Sequence, residues 1–193
     1  MKLRALARDE IAYAREIFGG AIDYGAVRIA RGSLLATFSA TAVGNRINLQ
    51  PVHFAGDTLN LSDAGMSVLI HELAHVWQYQ HWGFRYIASS LAAQVRAWVM
   101  TGSRRGAYDW RAALDRPWPR WNAEQQAQCI SDYHDAWRRV KTGTASAMDA
   151  ETLAIARGVL GGNLLQADAD AIRGAKDGIG KFGMRNIGKG FLQ

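Results

Sequence analysis

Between Ala64 and Tyr79, apolar residues recur at helical spacing: Met66, Leu69, Ile70, Leu73, Val76 and Trp77. That period predicts an amphipathic helix with one broad apolar face. Ser62 and Asp63 stand where an N-cap belongs, and Gly83 is a natural stop. Three other segments show the same rhythm. Residues 5–18 place Leu6, Ile11, Ala14, Ile17 and Phe18 among charges, and Gly19-Gly20 ends the run. Tyr86 to Met100 carries Ile87, Leu91, Val95 and Val99 at four-residue steps. Ala123 to Lys141, with Asn122 placed to cap it, carries Ala127, Ile130, Tyr133, Trp137 and Val140. Asp149 to Leu160 predicts one more helix.

The period shortens between Ile22 and Leu49. Val27-Arg28-Ile29, the stretch from Leu35 to Val43, and Ile47-Asn48-Leu49 alternate, with turn residues at Gly32-Ser33 and Gly44-Asn45. A small twisted sheet of about three strands follows from this pattern. An edge strand there would offer backbone groups to an extended peptide. Thr101 to Gly106 reads as a loop, and Tyr108 to Trp121 as an irregular aromatic stretch broken by Pro117 and Pro119. Its tryptophans, Trp110, Trp118 and Trp121, suit either core packing or the lining of a groove. The fold class expected is α+β, mostly helical, with a small N-terminal sheet. Two parts are expected: a domain over 1–141, and a C-terminal extension over 142–193. The extension comprises a linker, a short helix and a glycine-rich basic tail. From Arg173 to Gln193 glycines and cations alternate with Ile179, Phe182, Ile187 and Phe191. That pattern predicts weak structure alone and burial on a partner or a membrane surface.

Composition narrows this little. The chain has 193 residues, 49% hydrophobic and 21% charged, an ordinary globular balance. A net charge of +6 reads as surface charge that aids solubility, and no zinc-finger or RNA-binding pattern accompanies it, so no specific nucleic-acid partner is expected. No apolar run reaches membrane-spanning length. The stretch Met1 to Arg15 carries too many charges for a secretory signal peptide. Cytoplasmic synthesis is expected, with any export by a machine that ignores classical signals. Cys129 is the single cysteine, so no internal disulfide forms.

The chemistry concentrates in the first of these helices. His71-Glu72-Leu73-Ala74-His75 reads H-E-x-x-H. Residues four apart on a helix share a face, so His71 and His75 can offer two imidazole nitrogens to one metal ion. Glu72 projects about 100° around the helix, where it reaches a water at the metal without ligating, as a general base must. The bland alternative is an ordinary helix with two exposed histidines. A catalytic Zn²⁺ site needs a third protein ligand. His81 lies ten residues after His71, the metzincin spacing, but Gln78 occupies the place of the helix-breaking glycine. On an unbroken helix His81 would lie about 15 Å along the axis from His71. Glu124, opening a later helix 49 residues beyond His75, fits the gluzincin solution. It fits equally a first-turn glutamate favoured by the helix dipole, and helical phase does not decide. Asp109, Asp115, Asp132 and His134 remain alternatives.

These residues carry a resemblance. His71-Glu72-Leu73-Ala74-His75-Val76-Trp77-Gln78, with Phe18-Gly19, Ile22-Asp23-Tyr24 and Val27-Arg28-Ile29 upstream, resembles the small bacterial "vgr-related" or Rhs-type secretion-associated proteins. Downstream, Asn122, Glu124-Gln125-Gln126-Ala127 and Asp132-Tyr133 continue the likeness, which covers about Leu6 to Lys141. A looser likeness runs to the core domain of extracellular contractile injection systems. The resemblance implies a gluzincin-like, zincin-fold metallopeptidase linked to type VI or related secretion, with Glu124 as third ligand. On this reading His71, His75 and Glu124 hold Zn²⁺, and Glu72 is the general base. Tyr108, Tyr133 or His134 stabilises the oxyanion. The substrate expected is a peptide, a protein or peptidoglycan, and the partners expected are a secretion apparatus or an immunity protein. Two rivals stand beside it: a non-enzymatic adaptor of a secretion system with a structural metal, and a peptidoglycan amidase.

Overall fold

Alternation in the N-terminal quarter becomes a four-stranded sheet, ordered β1-β2-β4-β3. Its strands are β1 (Leu3–Ala5), β2 (Arg28–Arg31), β3 (Thr41–Val43) and β4 (Arg46–Leu49). The computed structural model describes residues 3–32, 39–161 and Leu164. The predicted strand from Leu35 therefore lies partly outside the described residues, and the tail from Arg173 to Gln193 wholly so. β2 and β4 run parallel with Ile29 opposite Ile47, while β1 and β3 flank them antiparallel. Gly44, at φ +61°, makes the tight β3–β4 turn, a left-handed conformation that a side chain would strain. Ile29, Ile47 and Leu49 are buried to 1% exposure or less and anchor the sheet to the core.

The first helix is shorter than its sequence suggests. Leu3–Ala5 is strand, and α1 runs only from Arg8 to Phe18. The reason is an electrostatic clasp at the boundary. Glu10 accepts from the Ala7 backbone N–H at 2.8 Å and pairs with Arg4 of β1 at 2.5 Å. The carboxylate thus satisfies an orphan donor of the first turn and ties the strand to it.

Helix α2 spans Asp63–Trp82. Ser62 caps it, its hydroxyl accepting from the Gly65 N–H at 3.1 Å. From Leu69 to Gln78 every residue except the half-buried His71 is buried, so this is a central helix rather than a surface one. At its start Gly65 lies against the 3-10 turn Pro51–His53, where an added Cβ would stand 2.0 Å from the His53 carbonyl oxygen. Gly83, at φ +65°, turns the chain into α3, Arg85–Thr101. α4, Ala123–Lys141, opens with a capping box in which Asn122 accepts from Gln125 N–H and the Gln125 side chain accepts from Asn122 N–H. α4 packs along α2, and α5 (Ala147–Leu160) packs along α4. Leu153, Ala156, Leu160 and Leu164 join the same hydrophobic core as the sheet and α2. Asp149 of α5 accepts from Arg139 of α4 at 2.8 Å, which holds its carboxyl down at about 2.

The fold is thus mixed α+β, mostly helical, with a small N-terminal sheet. Trp110, Trp118 and Trp121 are core residues, each at most 6% exposed. Two of the indoles are committed: Trp110 donates to Asp132 and Trp121 to the Arg116 carbonyl. Among the described residues no helix is long and apolar enough to cross a membrane.

Candidate metal centre

The packing of α4 on α2 brings Glu124 over the two histidines. Its Oε2 lies 3.4 Å from His71 Nε2 and 3.4 Å from His75 Nε2. Two donors each about 2.0–2.1 Å from a zinc ion at the tetrahedral angle lie about 3.3–3.4 Å apart, so the two Glu124–histidine separations match that spacing. The ligand atoms of the three residues all lie within 4.8 Å of one another. His71, 16% exposed at its side chain, is the edge that faces solvent, while Glu124 and His75 are buried.

Two of the three candidate ligands, His75 and Glu124, are held by a second set of groups. On His75 the holder is Gln78, whose orientation is fixed by what it donates to. Its amide Nε2 donates to the Ala123 carbonyl and to Gln126 Oε1, both at 3.0 Å. Gln126 in turn donates to the Trp118 carbonyl at 3.0 Å. The Gln78 oxygen must therefore face His75 Nδ1, which it does at 2.8 Å. Nδ1 carries a hydrogen, so Nε2 is the nitrogen that faces Glu124. On Glu124 the holders come from α3. Ser90 donates to Oε1 in a short hydrogen bond, and Gln94 donates to the same oxygen at 2.9 Å. One carboxylate oxygen is thus occupied, and the other is presented to the histidines.

Charge follows from these contacts. Burial works against ionisation of Glu124, but the hydrogen bonds from His71 and His75 reverse it and hold the carboxyl far below its usual range. Burial likewise opposes a charged His75. The Glu124 carboxylate more than offsets it and lifts the ring to about 9. Glu72 goes the other way. Burial raises its carboxyl above the ordinary value, only partly countered by the two histidines. Its Oε2 is buried and has no hydrogen-bond partner among the described residues.

Aromatic rings wall the cluster. Tyr108 lies with its ring 6.0 Å from that of His71, and Tyr86 stacks on His75 at 5.8 Å. The Tyr86 hydroxyl donates to the Ala42 carbonyl of β3, and burial pushes it up to about 12. A cavity of about 620 Å³ is lined by Tyr86, Ser89, Trp121, Ala123 and Gln126 among others, and by none of the three candidate ligands.

Of the three oxyanion candidates, only Tyr108 stands at the cluster. Tyr133 and His134 do not. They follow Glu124 by nine and ten residues on an uninterrupted helix, which places them about 14 Å or more along its axis. His134 packs edge-on against Tyr13 and lies 3.5 Å from Glu16. His81 is also remote. α2 continues unbroken through Gln78 to Trp82, and His81 Nδ1 bonds the Trp77 carbonyl of its own helix at 2.9 Å. The aspartate alternatives are engaged elsewhere: Asp109 with Ala112, Asp115 with Arg116, Asp132 with Trp110 and Gln128. Sequence reasoning missed Tyr86, Ser90 and Gln94. Their signal is an i, i+4, i+8 row of hydrogen-bonding side chains along α3.

No protein-family model matches this chain, and no solved structure does. It is 27% identical over 139 residues to the type VI secretion system spike protein VgrG2b of Pseudomonas aeruginosa. That alignment covers 67% of this chain and 13% of the spike protein. The likeness supports a relationship to VgrG proteins at low identity.

Proposed function

We propose that this chain is a zinc-dependent hydrolase of peptide or amide bonds, gluzincin-like in its ligands and zincin-like in its fold, working in association with a type VI secretion system. The secretion link rests on the partial similarity to the VgrG2b spike protein. The observation that carries the chemical reading is the cluster itself. Three donor groups, two imidazoles and a carboxylate, converge within 4.8 Å of one another, with a second buried carboxylate, Glu72, beside them and one of its oxygens unpartnered among the described residues.

In this reading His71 Nε2, His75 Nε2 and Glu124 Oε2 hold the ion. When bound, zinc lowers the pKa of water and polarises a carbonyl oxygen. The protein's own groups do the rest. Gln78 fixes the His75 tautomer, and Ser90 and Gln94 fix the face that Glu124 presents. Glu72, its basicity increased by burial, takes the proton from the attacking water. The oxygen of that water bonds to the carbonyl carbon. The C–N bond then breaks, and Glu72 returns the proton to the leaving nitrogen. Tyr108, at the solvent edge beside His71, is the residue placed to meet the developing negative charge.

The test is a pair of measurements on one preparation: zinc per chain, and cleavage of a denatured protein substrate and of purified peptidoglycan. Close to one zinc, with hydrolysis that a chelator stops, supports the reading. Zinc without cleavage of either substrate would favour the adaptor alternative.

A further inference from the structure

Helix α3 is amphipathic in the opposite sense to a surface helix. Its inner side, toward α4, carries Tyr86, Ser90, Gln94 and Ala97. Its outer side carries Phe84 at the cap, then Leu91, Val95, Trp98 and Val99, between 52% and 69% exposed, with exposed Ala88 and Ala92 among them. At 100° per residue these positions fill an arc of about 120° containing no polar side chain. A contiguous exposed apolar face of this kind marks an interaction surface.

Charge identifies what meets it. From Leu73 to Tyr108 the sequence has no Asp or Glu, while Arg85, Arg96, Arg104 and Arg105 fall within it. Arg85 and Arg96 come about 20° apart on the helical wheel, along one border of the apolar arc. Both are exposed, and neither forms a salt bridge among the described residues. A second copy of α3 would bring arginine against arginine with no carboxylate on the face to pair it. An anionic bilayer offers both halves of the match. Its acyl boundary takes the apolar arc, and its phosphates take arginines that extend sideways from the border. Phe84 and Trp98, toward the two ends, are aromatic side chains suited to the headgroup level.

We propose that the outer face of α3 is a docking surface for an anionic lipid bilayer, on which the protein lies without crossing it. The same helix holds Glu124 with its inner side, so docking would set the metal centre about one helix diameter, 10–12 Å, from the membrane. Binding through this face needs neither metal nor hydrolysis, so it stands or falls apart from the proposed reaction.

The experiment is flotation of the full chain with vesicles of phosphatidylglycerol and phosphatidylcholine in equal parts, and with vesicles of phosphatidylcholine alone. The protein is expected to rise with the anionic vesicles and stay behind with the neutral ones. Arg85→Gln/Arg96→Gln is expected to bind roughly 30-fold more weakly at low salt, at about 1 kcal/mol per arginine near an anionic surface. Leu91→Asp/Val95→Asp is expected to stay unbound, with zinc content and circular dichroism unchanged because both side chains point away from the core. If that variant misfolds, the arginine pair alone decides. A tail variant, Lys181→Gln/Arg185→Gln/Lys189→Gln, is expected to float as the parent does. Failure of the full chain to float overturns the proposal. So does loss of flotation only in the tail variant. A lipid-free dimer that Leu91→Asp/Val95→Asp converts to a monomer would assign the face to self-association instead.

Discussion

Glu72 and Glu124 are both buried carboxylates within reach of the same histidines, yet their surroundings drive them apart. Glu124 gains hydrogen bonds from His71 and His75 and is held ionised. Glu72 gains burial without a partner for its Oε2 and is pushed toward the protonated form. In the proposed reaction the first serves as ligand and the second as base. Glu72→Gln is therefore expected to keep one zinc per chain and lower turnover by about 10²–10⁴-fold, the usual contribution of a general base. Zinc analysis beside a cleavage assay checks it; a variant as fast as the parent would remove Glu72 from the mechanism. Glu124→Ala should behave differently and lose zinc affinity, by more than the roughly 10–100-fold that loss of a supporting partner costs. His81→Ala should leave affinity unchanged, because its ring is tied to Trp77 of its own helix. A competition titration against a zinc chelator separates the two. Equal losses in both would return the third-ligand question to His81.

At the scale of elements, the helix ends were legible wherever a cap is a local event. Ser62, Gly83 and Asn122 sit where side-chain chemistry alone places them. β1 was not legible. Leu3–Ala5 is too short to show alternation, and its partner Arg28–Arg31 lies far along the chain. The orientation of α3 was not legible either. Its four-residue row Leu91, Val95, Val99 is the stronger hydrophobic signal, but α4 meets the other side, where Ser90 and Gln94 reach Glu124. Burial was decided by a tertiary contact, not by hydropathy. Glu124 itself stood beside its helix's apolar stripe, and only the α2–α4 packing puts it over the histidines. At its other contact, α2 starts against the 3-10 turn Pro51–His53. Gly65→Ala would drive a methyl to within 2.0 Å of the His53 carbonyl oxygen, against backbone that cannot turn aside. A destabilisation of about 1–3 kcal/mol is expected, as for other overpacked sites. It should appear as a fall of roughly 2–4 °C in melting temperature for each kcal/mol. An unchanged melting temperature would mean the 3-10 turn shifts freely.

For the molecule as a whole, the candidate ligands join α2 to α4, with His75 and Glu124 buried, so the state of the site should be felt in global stability. Without metal the join is ionic: Glu124 stays a carboxylate, and His75 is a cation up to about 9. The sign follows from linkage. A histidine whose folded pKa exceeds its ordinary value stabilises fully below about 6.5, and that contribution is lost as pH rises through the folded value. A carboxylate with a lowered pKa stabilises above its ordinary value of about 4.3, and that contribution is lost as pH falls below it. Metal-stripped protein should therefore be most stable at about pH 5–6.5 and weaken steadily above that. Zinc competes with the proton for the same Nε2 of His75, so its apparent affinity should grow about tenfold per pH unit up to the value of that ring. Each tenfold gain adds about 1.4 kcal/mol at fixed excess zinc. The gap in melting temperature between zinc-loaded and stripped protein should thus widen by about 3–5 °C per unit. Thermal unfolding of both forms between about pH 6 and pH 8.5 measures it. Parallel curves would mean that the proton on His75 and the metal do not share a site. In that case the triad would be an ion-paired brace between two helices, and the proposed hydrolase would lose its centre.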